Sequence, residues 1–149
     1  MDIPREIRHG EEFALETLKT YLSENNINAD DLSIKQFPSG YSNLTYFLKS
    51  SSHEFVLRRP PFGAKSLQGG HDMFREYNVL KNLKSQFSKV TDVYLYCDNN
   101  EIIGAPFYLM ERVEGYIIRP NLQQKDSPGK EVIQNVSQSL VSTLVELHN

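Results

Sequence analysis

The sequence contains no tryptophan and a single cysteine, Cys97. A lone cysteine cannot close an internal disulfide, and no cysteine or histidine accompanies it at metal-ligand spacing, so a disulfide-stapled fold and a zinc centre built on cysteines are excluded. Long apolar runs are also missing. Nothing near the N-terminus resembles a signal sequence, and no stretch approaches the length of a bilayer span. We therefore expect a cytoplasmic protein with no membrane partner.

The sequence also lacks a large excess of either basic or acidic residues. The 16 lysines and arginines face 19 aspartates and glutamates, which gives a net charge of -3. The basic residues are scattered and form no basic run, so nucleic acid is not expected as a partner. With 149 residues, of which 39% are hydrophobic, the chain can form one domain of ordinary size or one small lobe with part of a second.

The spacing of apolar residues predicts an α+β fold. Five segments have the composition of β-strands, at residues 32–37, 44–49, 55–59, 90–96 and 102–110. Helical spacing predicts helices at 10–24 and 72–86, and a turn is expected at 98–100. The order of helix, three strands, helix and two strands predicts one antiparallel five-stranded sheet with helices against it.

After Gly115 the composition changes. Residues 121–129 are polar, and Ser127 is suited to cap a helix whose first residue is Pro128. The apolar stripe of this last helix comprises Val132, Val136, Leu140, Thr143 and Leu147, flanked by Ile133 and Leu144. Because nothing else in the sequence covers this stripe, we expect it to support a homo-oligomer.

The first of three motifs is a turn between the first two strands of the predicted sheet. It comprises Ser39, Gly40, Tyr41, Ser42 and Asn43. Backbone N–H groups of a glycine-containing turn can point at phosphate oxygens, and serine and asparagine side chains can assist them. Most sequences of this kind are simple hairpin turns, so the motif alone does not decide between the two interpretations.

A second motif joins the strand that ends at Arg59 to the following helix. Glu76 falls within the apolar stripe of that helix, where a carboxylate is costly unless it is paired. Alternation puts Val56 and Arg58 on one face of the strand and Arg59 on the other, so one arginine should point inward while its neighbour does not. We expect Arg58 and Glu76 to meet, either as a structural ion pair or as part of a functional site.

The third motif is the segment that follows the last strand, residues 111–115, which we call the connector. The strand ends in the bulky Met110, and Glu111 and Val113 come directly after it. Their backbone groups could face a planar heterocycle as one strand edge faces another. On its own, the pattern describes only a strand leaving a sheet.

In this order the three motifs resemble the protein kinase-like superfamily, and within it the aminoglycoside phosphotransferase-like family, including the phosphotransferase domains associated with acyl-CoA dehydrogenases. The segments that carry the resemblance are residues 37–46, 55–61, 74–77 and 106–115. The resemblance implies a kinase-like N-terminal lobe at residues 1–110, a hinge at 111–116 and the start of a C-terminal lobe at 117–149.

The resemblance also implies a nucleotide, ATP or GTP, with Mg²⁺ bridging its phosphates. Residues 39–43 take the place of the glycine-rich loop. Arg58 lies where kinases have the phosphate-holding lysine, and Glu76 matches the helix glutamate that pairs with it. Arginine in place of lysine keeps the charge but changes the geometry of phosphate contact.

Where the family binds the base of the nucleotide, Met110 resembles the gatekeeper residue. Glu111 and Val113 match the hinge residues that meet the adenine edge, and Val56 matches the residue that covers the ring. Together these matches imply a phosphotransferase that moves a γ-phosphoryl group to a hydroxyl of a small molecule.

The resemblance places the catalytic aspartate and the metal-binding residues of the family after the helix that reaches His148. We therefore expect no catalytic residue and no metal ligand within these 149 residues, and we expect the chain alone to be inactive. Two alternatives stay open. One is a non-catalytic kinase-like binding or interaction module, and the other is a structural domain in which Arg58 and Glu76 merely pair.

Overall fold

The structure is a computed structural model that describes residues 3–38, 42–63, 71–115, 117 and 128–148. The chain divides into two compact units, residues 1–115 and 116–149. The first unit contains, in chain order, α1 (Leu15–Glu24), β1 (Ser33–Gln36), β2 (Leu44–Lys49), β3 (Glu54–Arg59), α2 (Met73–Lys84), β4 (Val93–Cys97), α3 (Asn100–Ile103) and β5 (Phe107–Glu111). The second unit contains α4 (Lys130–His148).

The five strands form one sheet in the order β1-β2-β3-β5-β4, and every neighbouring pair is antiparallel. β3 therefore lies at the centre. In the register of the central strands, Val56 lies between Phe47 on β2 and Met110 on β5, and Arg58 lies opposite Tyr108. The predicted α+β class with a five-stranded antiparallel sheet is confirmed.

One face of the sheet packs against α1 and carries the hydrophobic core. Leu18 and Leu22 of α1 are fully buried. They belong to a cluster with sheet residues that alternate toward the same side, among them Tyr46, Leu57 and Leu109. Each fully buried leucine of this kind contributes about 1.5–3 kcal/mol of transfer free energy. The opposite face meets α2, whose Phe74 and Tyr77 rings contact Tyr96 of β4.

Both faces of the sheet are therefore covered, which corrects one expectation about the two arginines of β3. Arg59 was expected to point outward, yet its side chain is fully buried on the α1 side. Its Nε donates to the carbonyl of Pro60 at 3.0 Å and its Nη1 to the carbonyl of Ile103 at 2.6 Å. The ring of Phe62 lies 3.6 Å from the guanidinium carbon. Two backbone carbonyls and an aromatic face thus replace part of the water around this cation, while its buried Nη2 has no hydrogen-bond partner among the described residues.

The segment before β5 also differs from the prediction. A strand was expected from Ile102, but residues 100–103 form the short helix α3 and β5 begins at Phe107. The Asn99 side chain caps α3 by accepting from the backbone N–H of Glu101 at 2.9 Å. Gly104 ends it with a φ of 80°. Local capping has overridden the β-branched pair Ile102 and Ile103.

The other helices agree with the prediction in place but not in every boundary. α1 begins at Leu15, five residues later than expected. α2 begins directly after Asp72, whose side chain accepts from the backbone N–H of Arg75 at 2.9 Å. Within the second unit α4 begins at Lys130, not at Pro128, and Ser127 lies outside the described residues. In the described part of the chain, no helix has the length and apolar character needed to cross a bilayer.

Gly104 gives a test of the local signal that ends α3. Gly104→Ala should lower the free energy of unfolding by about 1–2 kcal/mol, because a side chain is disfavoured in the left-handed region. The cost is conformational, since an added Cβ would meet only Phe62 Cε1 at 3.8 Å. Urea denaturation followed by circular dichroism measures the change.

The matched control is Gly115→Ala, at a position where an added Cβ meets nothing within 4 Å and φ is not in the left-handed region. We expect no destabilisation there. Equal stabilities of Gly104→Ala and the unmodified chain would contradict the assignment of Gly104 as an obligatory cap.

Candidate functional site

The predicted pairing of β3 with α2 is present. Arg58 Nη2 lies 3.5 Å from Glu76 Oε2, and about a third of each side chain is exposed. The two residues meet because Arg58 points to the sheet face that α2 covers, while Glu76 lies in the first turn of α2 on the side of the sheet. Helical period and strand alternation were sufficient to predict this contact.

Glu76 has two further partners, and both are closer than Arg58. The Tyr108 hydroxyl donates to Oε2 at 2.9 Å. The Asn43 side-chain Nδ2 donates to Oε1, also at 2.9 Å. Each carboxylate oxygen therefore keeps a short hydrogen bond that does not depend on Arg58. Tyr108 was not among the predicted site residues, although it shares a strand face with Met110.

Asn43 connects this cluster to the residue before the cap of α2. Its Oδ1 lies 2.7 Å from His71 Nδ1, so both polar ends of the buried Asn43 side chain are engaged. The predicted role of this side chain was a phosphate contact, whereas here it ties the start of β2 to α2. Ser42 is exposed. Ser39, Gly40 and Tyr41 lie outside the described residues, so the phosphate-binding turn stays a prediction.

The electrostatics of the cluster favour a neutral phenol beside a charged pair. Burial is the main cause that raises the pKa of Tyr108, and the neighbouring Arg58 partly offsets it while Glu76 adds to it. Tyr108 therefore stays a hydrogen-bond donor at neutral pH. Arg58 Nε is buried and has no hydrogen-bond partner among the described residues. The guanidinium thus has donor capacity that Glu76 does not use.

A cleft of about 400 Å³ opens beside this cluster. Its lining residues are Arg58, Asp72, Arg75, Glu76, Val79, Leu80 and Tyr108. None of residues 110–113 lines it, whereas the resemblance to kinases implies one slot between the ion pair and the connector. Among the described residues, no cluster of histidine, cysteine, aspartate and glutamate is arranged to hold a metal ion.

The residues predicted to contact a base lie farther along the same sheet face. Val56 is buried and Met110 is half-buried, and they are adjacent in register. The Glu111 backbone N–H donates to the carbonyl of Asp92 at 2.9 Å. The Glu111 carbonyl accepts from Thr91 Oγ1 at 3.3 Å, which is a long contact. Val113 is 69% exposed, so it is accessible to a ligand.

Comparison with known proteins identifies the family of the chain. The model of the phosphotransferase enzyme family matches residues 33–149. The chain belongs to this family. That match runs from β1 to residue 149, so it leaves out α1 and includes the ion pair, Tyr108 and the connector.

Two groups of relatives support the assignment. Acyl-CoA dehydrogenase family member 11 of Rattus norvegicus is 37% identical over 100% of this chain and 20% of its own length. Acyl-CoA dehydrogenase family member 10 of Mus musculus is 35% identical over 68% of this chain and 10% of its own. The chain therefore spans about a fifth of the length of the rat relative.

A solved structure from Ralstonia eutropha, provisionally named an aminoglycoside phosphotransferase, matches with a TM-score of 0.60 and 30% identity. The match covers 74% of this chain and 32% of the solved one. The five-stranded sheet with its helices is thus the N-terminal lobe of the kinase-like fold.

The Tyr108 hydroxyl provides a direct test of how firmly Glu76 is held. Tyr108→Phe should lower the free energy of unfolding by about 1–2 kcal/mol, because a hydrogen bond to a charged, partly buried carboxylate is lost. Urea denaturation at neutral pH measures the loss.

Tyr94→Phe is the matched control, since Tyr94 is 49% exposed and its ring contact with Phe55 survives the change. There we expect a change within about 0.5 kcal/mol. If both variants lose the same free energy, Tyr108 is not a special partner of Glu76.

Proposed function

We propose that this chain is the nucleotide-binding lobe of an ATP-dependent phosphotransferase that moves the γ-phosphoryl group to a hydroxyl of a small molecule. Membership of the phosphotransferase enzyme family supports the general class. The observation that carries the proposal is the Arg58–Glu76 pair, in which the carboxylate is held by Asn43 and Tyr108 while the partly exposed Arg58 side chain borders the cleft.

In this proposal, Arg58 holds the phosphates. A guanidinium presents a planar fork of N–H donors that matches phosphate oxygens, and it stays charged at any working pH. Glu76 orients the guanidinium from the other side without losing its own hydrogen bonds. The turn at residues 39–43 adds backbone N–H groups to the same phosphates.

The base binds in the proposal against the sheet face that carries Val56 and Met110. Both side chains are apolar and adjacent in register, so they can cover one face of a planar ring. The Glu111 carbonyl and the backbone of Val113 meet the edge of the base. A purine of either kind, in ATP or GTP, fits this description.

Mg²⁺ in this family bridges phosphate oxygens and neutralises the charge that develops on transfer. The two arginines that line the cleft, Arg58 and Arg75, can donate to the phosphates of a triphosphate that brings its own metal ion. The two carboxylates there already accept hydrogen bonds within the protein. We propose that the metal ligands and the catalytic aspartate of the complete enzyme are not among these 149 residues. The chain should then bind nucleotide without turning it over.

Isothermal titration calorimetry with Mg-ATP tests the proposal. Arg58→Ala should weaken binding at least about tenfold, because a charge-assisted hydrogen bond contributes about 1.5–3 kcal/mol. Arg58→Lys should restore part of the affinity, since it restores the charge but not the fork.

The control is Lys19→Ala, which removes one positive charge from α1 on the other side of the sheet. Its affinity for Mg-ATP should equal that of the unmodified chain. No binding by the unmodified chain, or equal losses in Arg58→Ala and Lys19→Ala, would reject the nucleotide site and favour a non-catalytic module.

We also propose that the apolar stripe of α4 joins two copies of the chain. Val136 and Leu140 on this stripe are 44% and 59% exposed. Val136→Lys should lower the mass that light scattering measures at high protein concentration, because it places a charge in the shared contact. Gln138→Lys adds the same charge on the other side of the helix and should leave the mass unchanged. A monomeric unmodified chain would refute the association.

A further inference from the structure

The sheet face that carries Arg58 has a second arginine at its other end. Alternation places Phe47, Val56 and Met110 next to one another on this face. Arg58 lies at one end of β3, and Arg112 reaches the other end at Glu54. Glu54 and Arg58 are four positions apart along β3, or about 13 Å. The face is therefore an apolar strip with a guanidinium at each end.

Arg112 is held by three different elements. Its Nη1 forms an ion pair with Glu54 at the start of β3. Its Nη2 lies 2.8 Å from Glu114 Oε1 in the connector, and its guanidinium carbon lies 4.4 Å from the centre of the Phe47 ring on β2. Only 17% of the side chain is exposed. A guanidinium stacked on an aromatic ring and paired on two sides has little freedom left.

These contacts hold the connector against the sheet from one side. On the other side the backbone of Glu111 is hydrogen-bonded to Asp92 and Thr91. The Glu111 side chain adds a bond, since its Oε2 accepts from the backbone N–H of Asp92 at 3.2 Å. The connector is thus clamped between β2, β3 and the residues before β4. A segment that is ordered beforehand loses less conformational entropy when a ligand binds to it.

We propose that Arg112 is a positioning residue that fixes the connector for recognition of a nucleotide base, while Arg58 serves the phosphates. The inference deepens the proposed nucleotide site and rests on it. It assigns the two guanidinium groups to the two chemically different halves of one ligand. Arg112 needs no contact with the ligand to act in this way, because its effect passes through the backbone of residues 111–114.

Two ligands distinguish the base-binding part of the proposed site from its phosphate-binding part. Isothermal titration calorimetry measures the affinity for ATP and for inorganic tripolyphosphate, which has the phosphates but no base, both with MgCl₂. Arg112→Ala should weaken ATP binding about tenfold and leave tripolyphosphate binding within about twofold. Arg58→Ala should weaken both ligands. A role of Arg112 in stability alone would not change the ratio of the two affinities.

Lys49→Ala is the matched control, because Lys49 pairs with the same Glu54 at 2.8 Å and, among the described residues, makes no hydrogen bond or ion pair with the connector. It should leave both affinities unchanged. Arg112→Met keeps the aliphatic stem over Phe47. It replaces Arg112→Ala in the titrations if circular dichroism shows that Arg112→Ala is unfolded. We expect the same selective loss of ATP affinity in this variant.

Each other outcome overturns the inference. Equal losses for ATP and tripolyphosphate in the Arg112 variants would mean that the residue acts only through charge or folding. Unchanged ATP affinity would mean that the connector needs no clamp. In both cases a loss in Arg58→Ala would leave the proposed function standing. If the unmodified chain binds neither ligand, the proposed function itself fails and the inference fails with it.

Discussion

The carboxylate of Glu76 is the group on which the arrangement of this lobe depends. It receives Asn43 from the start of β2, Arg58 from β3 and Tyr108 from β5. A carboxylate between a helix and a sheet is unfavourable unless its oxygens are satisfied, so its three donors fix where α2 can lie. The position of α2 in turn sets the cleft. One side chain thus couples three strands, a helix and the candidate site.

The lengths of these contacts assign different roles to the three donors. Asn43 and Tyr108 lie at 2.9 Å, whereas Arg58 lies at 3.5 Å. Because the shorter bonds give each oxygen a partner of its own, the proposed contact of Arg58 with a phosphate would not leave the partly buried carboxylate unpaired. A lysine at this position would be a point charge with three donors. The arginine has five, which is the reason the proposed site gives it both Glu76 and a phosphate as partners.

Local patterns in the sequence predicted the elements well and predicted contacts only between neighbouring elements. The strand over residues 44–49 was predicted with its observed ends, and helical period with strand alternation brought Arg58 to Glu76. Tyr108 was missed because its contact depends on β5 lying beside β3, and the pairing of strands distant in sequence leaves no local signal. The helical turn at 100–103 was missed because capping by Asn99 and Gly104 outweighed the β-branched residues.

Arg58 and Arg59 show why residue type alone could not distinguish a candidate site residue from a structural one. They are neighbours with the same side chain, and the pleat sends them to opposite faces of one sheet. Arg59 is fully buried and bonds to the fixed carbonyls of Pro60 and Ile103, so no ligand can reach it. Arg58 borders a cleft and faces a carboxylate that has other partners. The difference arises from what covers each face, since α1 seals its face with apolar side chains whereas α2 brings a charge. The period of the strand places the two arginines on opposite faces, and only the packing of the helices shows that Arg59 is sealed in the core while Arg58 borders the cleft.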